Sequence, residues 1–446
     1  MKNNIIIVGL GKTGFCVLDY FINQDVNIQV FDSKTDYDSD KIAKLSSNKN
    51  VIFNLGKNPT GDEEADMVVM SPGISLDLEF VKKFISRNIE VTGEIELSYR
   101  YGKGRFVGIT GTNGKTTTTT LVGDIFKAYK SDTKVVGNIG YPALEQAVVS
   151  DADTFLITEL SSFQLESIKT FRPYISAILN ITEDHLNRHK TMVEYMKAKF
   201  RIFENQSSDE FLVLNYDDEL LRLSQSEIKP KIIYFSRKEI LKEGIFVENE
   251  QIVACINNTK EYIMDVKDIL LLGQHNLENV LAAVSIAVLA GIDKSIIKQE
   301  VMNFRGVEHR LELVRTYNDV NYINDSKATN PDSSIKALEA MNTPVILIAG
   351  GMDKQSDYSS FIDSCIPKVK HLILLGETKD VIEKTAISKG LVNITKVEDM
   401  KQAVDVAFLK AKEGDTVLLS PACASWDMYE SFEHRGKDFK NCVLSL

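Results

Sequence analysis

The sequence predicts an α/β protein of several domains, each built on a mainly parallel sheet. Three observations support this prediction. Apolar, strand-like runs alternate with amphipathic stretches along the whole chain. Two of these runs lead into glycine-rich loops. The chain has 446 residues, which is too long for a single hydrophobic core. A hydrophobic content of 43% and a charged content of 26% are typical of a globular protein.

Three blocks follow one another along the chain. Residues 1–93 contain "NIIIVG", "NIQVFD", "NVIFNLG" and "DMVVMSPGI", which predict a Rossmann-like parallel sheet. Residues 94–303 contain a second set of strand-like runs, and within them residues 229–272 predict a small antiparallel excursion. An alanine-rich helix follows and ends near Gly291. Residues 304–446 hold further strand-like runs, among them "VNYIND", "TPVILIAGG", "KHLILLGE" and "DTVLLSPA". We therefore expect three α/β domains with these boundaries.

Charge and cysteine content narrow the class of protein. The net charge of −11 argues against nucleic acid or an anionic membrane as partner. The five cysteines are odd in number, scattered, and without any C-x-x-C spacing. Reduced thiols in a cytosolic protein are the simplest interpretation. No apolar run approaches the ~18 residues of a membrane span. We expect a cytoplasmic protein that acts on small molecules, without a membrane partner and as a monomer.

The first glycine loop resembles a nucleotide-binding fingerprint. Gly9, Gly11 and Gly14 fit G-x-G-x-x-G after an apolar run, and Asp32 ends the next apolar run. This arrangement is typical of a dinucleotide-binding βαβ unit. Taken alone, it favours an NAD-dependent dehydrogenase.

The second glycine loop points to a nucleoside triphosphate instead. In "FVGITGTNGKTTTTTLVGDIF" an apolar strand enters the loop, and a helix-compatible stretch begins near Lys115. Backbone N–H groups at such a helix start bind phosphate, the lysine adds positive charge, and the hydroxyl of Thr116 has the position that binds Mg²⁺. Ile109 occupies the position of the first glycine in the generic P-loop pattern, so the match falls short by one residue.

Acidic and polar groups follow two other predicted strands of the same block. Glu159 ends "TFLITE", and "ISAILNITEDH" ends in polar groups that include His185. A carboxylate just beyond a buried strand can reach a Mg²⁺ ion beside a phosphate loop. The alternatives are an ordinary loop acid and a structural histidine. The shared block supports a metal site but leaves these alternatives open.

These motifs resemble a known family. "GITGTNGKTTT", "ELSSFQLE", "NITEDHLNRH" and "YMKAKFRIFEN" resemble the central domain of the Mur ligases of peptidoglycan synthesis, which join an amino acid to a UDP-linked muramic acid and hydrolyse ATP. "GLGKTG", "SPGI", "GQHNLENVLAA", "HRLE", "NDSKATNP" and "LLSPACASWDMYESFEHRG" are most similar to the members that add D-glutamate. The resemblance implies a substrate-binding N-terminal domain, a P-loop ATPase-like central domain and a Rossmann-like C-terminal domain that binds the amino acid.

The resemblance also implies what each region binds. The first glycine loop would hold the diphosphate of the UDP-substrate and no nicotinamide. The residues implied at that substrate are Gly11, Lys12, Thr13, Asp32, Ser33, Lys34, Gly73, Asn138 and Ser161. Those implied at ATP are Gly111, Thr112, Asn113, Gly114, Lys115, Thr116, Thr117, Asn276, Asn279, Arg310 and Asp325. Those implied at D-glutamate are His185, Thr329, Lys354, Ser425 and Phe432.

The implied reaction proceeds through an acyl phosphate. The L-alanyl carboxylate attacks the γ-phosphate of ATP, and the amine of D-glutamate then displaces phosphate. Lys115, His185, Lys199 and Lys327 are the implied catalytic residues. Two Mg²⁺ ions would be held by Thr116, Glu159, His185 and Lys199, with Lys199 carbamylated by CO₂. Without the resemblance, Lys199 would be interpreted as a surface lysine on a basic helix face.

Three other interpretations remain open from the sequence. A dehydrogenase leaves the Lys115 loop unexplained. A folate-linked glutamate ligase shares the second and third blocks but normally lacks an N-terminal glycine-loop domain of this kind. A non-catalytic nucleotide-binding module does not account for the joint presence of Glu159, His185, Lys199 and Lys327.

Overall fold

The computed structural model describes residues 3–223, 228–271, 273–353 and 356–446, and its strands fall into three sheets. The strands of the first sheet are β1 Asn3–Val8, β2 Val26–Asp32, β3 Val51–Leu55, β4 Met67–Met70 and β5 Glu90–Gly93. The helices of this region are α1 Lys12–Phe21, α2 Ser39–Ser46, α3 Glu79–Ser86 and α4 Glu94–Tyr101. The strand order is β3-β2-β1-β4-β5 and every pair is parallel, as the sequence predicts.

Strand β1 shows why this sheet is parallel and buried. Ile5 and Ile7 belong to one apolar cluster, whereas Ile6 and Val8 belong to another. Because successive side chains of a strand point to opposite faces, the two clusters cover the two faces of the sheet. A strand buried on both sides is apolar throughout, which explains the continuous run "IIIV".

The second sheet is larger and mixed. Its strands are β6 Arg105–Thr110, β7 Thr133–Gly137, β8 Phe155–Glu159, β9 Ile175–Ile178, β10 Phe211–Asn215, β11 Lys231–Ser236, β12 Gly244–Glu248, β13 Gln251–Ile256 and β14 Thr259–Asp265. The helices are α5 Lys115–Tyr129, α6 Ala143–Ala147, α7 Ser162–Leu165, α8 Leu186–His189, α9 Met192–Phe200, α10 Glu219–Leu223, α11 Gln274–Leu289 and α12 Lys294–Asn303. The strand order is β14-β13-β12-β11-β10-β9-β6-β8-β7.

The antiparallel excursion is present but shorter than the sequence predicts. Only the β12–β13 and β13–β14 pairs are antiparallel, whereas β11 pairs in parallel with both β10 and β12. A short alternating run shows which face of a strand is buried but carries no information on strand direction, so the inclusion of β11 in the predicted antiparallel excursion is wrong. Leu272, the predicted end of that stretch, lies outside the described residues.

The third sheet is parallel except at one edge. Its strands are β15 Glu312–Tyr317, β16 Val320–Asn324, β17 Val345–Ala349, β18 Val369–Leu374, β19 Ile394–Lys396 and β20 Thr416–Leu419. The helices are α13 Pro331–Ala340, α14 Ser359–Cys365, α15 Lys379–Ser388, α16 Met400–Lys410 and α17 Phe432–Leu444. The order is β15-β16-β20-β17-β18-β19, and β15 is antiparallel to β16. Apolar clusters cover both faces.

Backbone packing divides the described chain into two compact units. One comprises Met1–Ile269 with Leu277–Met302 and contains the first and second sheets. The other comprises Leu270–Asn276 with Asn303–Leu446 and contains the third sheet. The three domain boundaries expected from the sequence stay a prediction. Among the described helices, none has the length and apolar character needed to cross a membrane.

Helix α4 connects the first two sheets through a buried carboxylate. Glu96 accepts hydrogen bonds from the backbone N–H groups of Lys169 at 2.8 Å and Phe171 at 3.0 Å, and from Arg100 Nε at 2.8 Å. Burial by itself raises the pKa of Glu96, but the hydrogen bonds from Thr170 and Lys169 outweigh it and hold that pKa below its ordinary value. The charged form is therefore part of the fold.

We expect Glu96→Ala to lower the free energy of unfolding by about 3–5 kcal/mol, because it leaves several buried donors without an acceptor. Urea denaturation measures the loss. Glu90→Ala is the matched control: Glu90 is half-buried and pairs with the same Arg100, and its loss should cost less than about 1 kcal/mol. Because the pKa of Glu96 is lowered in the folded protein, its carboxylate stabilises the fold at pH values above its unfolded-state pKa of about 4.3. This stabilisation is lost as the pH falls through the folded-state pKa. Equal effects of the two substitutions would contradict this account.

Candidate active site

The second glycine loop has the geometry of a phosphate-binding loop. Strand β6 ends at Thr110, and α5 begins at Lys115 with Gly114 as its N-cap in a left-handed conformation, φ 81°. No side chain caps this helix start, so its first N–H groups point into the loop opening. A Cβ atom at Gly114 would collide with Asn279 Oδ1, which places that predicted ATP residue directly against the loop.

The loop is braced by the segment after β9. Asn113 N–H donates to Asn180 Oδ1 at 2.8 Å, and Asn180 Nδ2 donates back to Asn113 O at 3.1 Å. Thr112 Oγ1 lies 3.1 Å from Thr182 O and 3.2 Å from Tyr195 Oη. Polar residues that follow β9 therefore fix the shape of the phosphate loop, which gives Asn180 a structural role that the sequence alone did not reveal.

Two lysines converge on one carbonyl of this loop. Lys115 Nζ donates to Gly111 O and to Thr112 O, each at 2.8 Å. Lys199 Nζ, from α9, donates to the same Gly111 O at 2.8 Å. The ammonium of Lys115 makes the loop electropositive, as a site for a polyanion requires, and Lys199 brings a second amino group to the same carbonyl.

Lys199 is buried and is not a surface lysine. Only 2% of the residue is exposed, and its Nζ lies 4.7 Å from the centre of the Tyr195 ring. Burial, the larger cause, and the positive charge of Lys115 together lower the pKa of Lys199 to about 6, and Asp184 opposes the shift. The amine is therefore neutral at physiological pH, which is the form that acts as a nucleophile or ligand.

Glu159 offers a carboxylate oxygen that has no protein partner. It is the last residue of β8 and is 1% exposed, and its Oε1 accepts a hydrogen bond from Asn138 Nδ2 at 2.7 Å. Within the part of the chain that the structure describes, its Oε2 is buried without a hydrogen-bond partner. Such an oxygen fits a hard cation such as Mg²⁺. Thr116, in the first turn of α5, is also buried.

His185 lies at the start of α8 and is partly exposed. Its φ of 52° is left-handed, and its side chain is 48% exposed. Its Nε2 lies 3.5 Å from Asp184 Oδ2, and its ring centre lies 4.9 Å from that of Phe163. The structure therefore leaves His185 accessible to a ligand.

Sequence reasoning missed a second histidine of the same segment. His189 is buried, and its Nε2 lies 2.9 Å from Ser162 Oγ. Its Nδ1 lies 3.5 Å from Glu166 Oε1, and burial lowers its pKa. The four-residue spacing between the two histidines of "HLNRH" was the available signal. A buried, hydrogen-bonded histidine of this kind supports its neighbours and is poorly placed to bind a ligand.

The first glycine loop is packed as the fingerprint requires. A Cβ at Gly9 would lie 2.6 Å from Ser71 Cβ, and one at Gly14 would collide with Gly9 O. Gly11 and Gly73 face open space, where a ligand could approach the backbone. Helix α1 begins at Lys12 with Gly11 as its N-cap and no side-chain cap, which suits a diphosphate.

Several predicted UDP-substrate residues make structural contacts. Asp32 accepts from Leu10 N–H at 2.6 Å through Oδ2 and from Lys34 N–H at 2.8 Å through Oδ1. Burial raises its pKa, but these backbone hydrogen bonds outweigh that effect and lower it. Lys12 Nζ donates to Gly140 O at 2.7 Å. Ser161 caps α7, where it accepts from Gln164 N–H. Ser33 and Lys34 are exposed, and Thr13 is half-buried.

The third sheet carries the remaining predicted residues. Asp325 follows β16 and accepts from Ser420 Oγ at 2.8 Å and from Leu311 N–H at 3.3 Å. Burial raises its pKa to about 7, with the hydrogen bond from Ser420 opposing the shift. Lys327 N–H donates to His309 O at 3.0 Å, and Lys327 Nζ lies 5.7 Å from the centre of the Phe432 ring. The structure thus brings "EHRLE" and "NDSKATN" together.

Other predicted residues of this region differ in exposure. Ser425 is buried, and Thr329 and Arg310 are half-buried. Asn276 is buried in α11. Lys354, predicted to bind D-glutamate, lies outside the described residues.

Cys423 is a packing residue. Its Sγ lies 3.2 Å from Tyr358 Oη and 3.3 Å from Thr378 Oγ1. Burial raises its pKa, so the thiolate form that acts as a nucleophile is disfavoured.

Comparison with known proteins identifies the class to which this fold and these loops belong. Residues 3–93 match the N-terminal domain of Mur ligases of the MurD-like type. Residues 109–287 match the Mur ligase middle domain, and residues 309–423 match the Mur ligase glutamate ligase domain. The UDP-N-acetylmuramate-alanine ligase of Thermotoga maritima shares the fold, with a TM-score of 0.59 and 18% identity over 99% of both chains.

Full-length relatives narrow the assignment. The chain is 48% identical to the UDP-N-acetylmuramoylalanine--D-glutamate ligase of Alkaliphilus oremlandii, over 100% of this chain and 99% of that protein. It is 49% identical to the protein of the same name from Clostridioides difficile, over 99% and 98% of the two chains. The chain therefore belongs to the Mur ligase family, within the group of UDP-N-acetylmuramoylalanine--D-glutamate ligases.

Proposed function

We propose that this protein is an ATP-dependent ligase that adds D-glutamate to UDP-N-acetylmuramoyl-L-alanine in cytoplasmic peptidoglycan precursor synthesis. The observation that carries the proposal is the phosphate loop with Lys115 and Lys199 on one carbonyl, in a chain 48% identical over its whole length to a ligase of that name. In this proposal residues 1–93 bind the UDP-substrate, residues 94–303 bind ATP, and residues 304–446 bind D-glutamate.

The first step forms a mixed anhydride. The L-alanyl carboxylate attacks the γ-phosphorus of ATP, a P–O bond forms, and the bond to the ADP oxygen breaks. Carboxylate and triphosphate are both anions, so the site must neutralise charge and align the reactants. The N–H groups at the start of α5 bind phosphate oxygens, and Lys115 exchanges its bonds to the loop carbonyls for bonds to the phosphates.

The donor set fits two Mg²⁺ ions beside the phosphates. Glu159 Oε2 and the hydroxyl of Thr116 would hold one ion, and His185 with a carbamylated Lys199 would hold the other. Bound there, Mg²⁺ withdraws electron density from the phosphoryl group and screens its charge.

Carbamylation of Lys199 is the less usual part of the proposal. The neutral amine attacks CO₂, an N–C bond forms and a proton leaves, so a neutral amine becomes an anionic oxygen ligand. The burial of Lys199 and the nearby charge of Lys115 keep the amine neutral, and the positive charge of Lys115 favours the anionic product.

The second step uses the third sheet. The amine of D-glutamate attacks the acyl carbon, a C–N bond forms, and phosphate leaves. Lys327 and Asp325 act on the acyl-phosphate side, while Arg310, Asn276 and Asn279 hold ATP. Cationic and hydroxyl donors are needed for the two carboxylates of D-glutamate, and the proposed set for that substrate is Thr329, Lys354, Ser425, Phe432 and His185.

We expect phosphate release to require both UDP-N-acetylmuramoyl-L-alanine and D-glutamate. L-Glutamate and L-lysine should turn over at less than about 1% of the D-glutamate rate, because a site built for one arrangement of charged groups rejects others. A coupled phosphate assay with single amino acids measures this, and omission of the UDP-substrate is the control. Turnover with L-lysine at an equal rate would contradict the assignment, and turnover of a folate would favour the folate-linked ligase.

A further inference from the structure

One arginine links the two sheets of the first unit at the proposed substrate loop. Arg188 lies in α8, in the segment that follows β9 of the second sheet. Its guanidinium reaches the loop that follows β4 of the first sheet, where Nη1 donates to Pro72 O and Nη2 to Ile74 O, each at 3.1 Å. The two carbonyls lie on either side of Gly73, the proposed contact to the UDP-substrate.

The same loop is anchored to the first glycine loop at its other end. Ser71 Oγ lies within hydrogen-bonding distance of Gly9 O, at 3.2 Å, and Ser71 N–H donates to Val8 O at 2.8 Å. A Cβ at Gly73 would meet no atom within 4 Å, so the backbone there is open to a ligand. Movement of residues 71–74 would therefore move the backbone that faces the diphosphate.

Arg188 is itself held in place from the side of the second sheet. Its Nη2 pairs with Glu166 Oε2 at 2.5 Å, and its guanidinium carbon lies 4.5 Å from the centre of the Phe163 ring. Glu166 also contacts His189 Nδ1, at 3.5 Å. A planar guanidinium with an ion pair, a stacked ring and two carbonyl acceptors has little freedom. Its side chain is 14% exposed.

We propose that Arg188 is a positioning residue that fixes the distance between the loop holding the UDP-substrate and the segment carrying His185. This inference rests on the proposed function, in which one substrate spans both sheets. Its diphosphate is held at the first glycine loop, while its carboxylate must meet the γ-phosphate at the second. Because a misplacement of about 1 Å can cost on the order of 10²-fold in rate, a rigid link between the two loops has a direct kinetic effect.

The experiment compares Arg188→Gln with Arg201→Gln. Arg201 is the matched control, because it also donates to backbone carbonyls, those of Glu166 and Ile168, and pairs with Glu204, whereas none of these bonds reaches residues 71–74. We expect Arg188→Gln to raise KM for UDP-N-acetylmuramoyl-L-alanine by about 10-fold or more and to lower kcat, with KM for ATP within about twofold of wild type. Arg201→Gln should leave both KM values within about twofold.

Arg188→Lys separates positioning from charge. Lysine keeps the positive charge, but its single ammonium cannot reproduce the planar fork of donors with which the guanidinium reaches two carbonyls and a carboxylate. We expect it to remain impaired toward the UDP-substrate. Full rescue by lysine would mean that charge alone matters, and the positioning role would be wrong.

A second readout does not depend on activity. Amide hydrogen exchange of Ser71, Gly73 and Ile74 in the unliganded full-length protein should be faster in Arg188→Gln than in wild type and unchanged in Arg201→Gln. Failure of the wild type to use D-glutamate would contradict the proposed function. Hydrogen exchange in this loop would still test whether Arg188 holds the loop in place, because that measurement needs no substrate. If Arg188→Gln lowered only the melting temperature and left KM and loop exchange unchanged, Arg188 would be a purely structural residue.

Discussion

Lys115→Ala should lower ATP-dependent phosphate release by about 10³-fold or more, the scale expected when a charge that stabilises a transition state is removed. Binding of UDP-N-acetylmuramoyl-L-alanine should stay within about twofold of wild type, because the proposed site of that substrate is the first glycine loop. Phosphate release measures the first effect and isothermal titration calorimetry without ATP measures the second.

The geometry of the loop explains why the effect should be so selective. Lys115 Nζ is bonded to Gly111 O and Thr112 O, so it lies over the loop that α5 follows. Its ammonium is therefore positioned for the phosphates and is not required to hold the first glycine loop. The backbone N–H groups at the start of α5 remain in the variant, so weak nucleotide binding can persist while the reaction fails.

Lys127→Ala is the matched control for Lys115→Ala. Lys127 lies in the last turn of the same helix, is half exposed and pairs weakly with Asp124, at 4.0 Å. We expect it to leave turnover and both affinities unchanged. A large loss of UDP-substrate affinity in Lys115→Ala would mean that the assignments of the two glycine loops are reversed.

Much of the fold follows from local patterns in the sequence. Glycine spacing and the apolar runs before it were sufficient to predict both strand–loop–helix units, and the β1 and β6 regions confirm them. Glu159 could be predicted as a strand-end acid because β8 is apolar up to its last two residues. Strand direction could not be predicted in this way: β11 pairs in parallel and the edge strand β15 pairs antiparallel, but the apolar pattern of a strand does not specify its direction.

Burial of single polar residues could not be predicted in the same way. Lys197 and Lys199 lie two positions apart in α9, and both fit a basic helix face. Lys197 is exposed and pairs with Glu194, whereas Lys199 is buried against the phosphate loop. Only the packing of α9 on the second sheet distinguishes them. Helix α9 has only nine residues, and its apolar and basic side chains are interspersed. This pattern does not determine which face of the helix points inward.

Hydrogen bonds from arginine side chains to distant backbone carbonyls could not be predicted from the sequence either. Arg188 binds carbonyls more than a hundred positions earlier in the chain. Arg435 is fully buried in the third sheet's region and donates to the carbonyls of Ser326, Cys423 and Ala424. Because every residue has a backbone carbonyl, a hydrogen bond to one requires no particular residue type and produces no sequence motif. Arginines of this kind can be found only once the loops are placed in space.

The second large effect concerns Lys199. Lys199→Ala should lose nearly all activity, on the order of 10²–10³-fold, because it removes the proposed anionic ligand from the site. Acetate or another short carboxylic acid should restore part of the activity by occupying the space left by the side chain. Lys199→Arg should stay inactive, since arginine keeps a positive charge beside Lys115 and cannot form a carbamate.

Lys197→Ala provides the matched control, because Lys197 is an exposed lysine of the same helix whose partner is Glu194. It should retain wild-type turnover and show no response to acetate. The activity of the wild type and of the three variants, Lys199→Ala, Lys199→Arg and Lys197→Ala, is measured as phosphate release in buffers with and without bicarbonate. Wild type should lose activity when CO₂ is removed and recover it when bicarbonate is restored.

The protonation of Lys199 gives an independent measurement. In the unmodified protein its pKa is about 6, below the unfolded value of about 10.4, so between these two pH values the unfolded chain binds more protons than the folded one. The free energy of unfolding therefore rises with pH between these two pKa values. The cost of burying the protonated amine is largest below the folded-state pKa. In CO₂-free buffer, Lys199→Met should remove this dependence and stabilise the protein by about 1–3 kcal/mol near pH 6, because an apolar side chain replaces a buried amine. Near-normal turnover of Lys199→Arg would show that the reaction needs no carbamate on Lys199. A pH dependence of stability that Lys199→Met leaves unchanged would show that the pKa of Lys199 is not lowered in the folded protein.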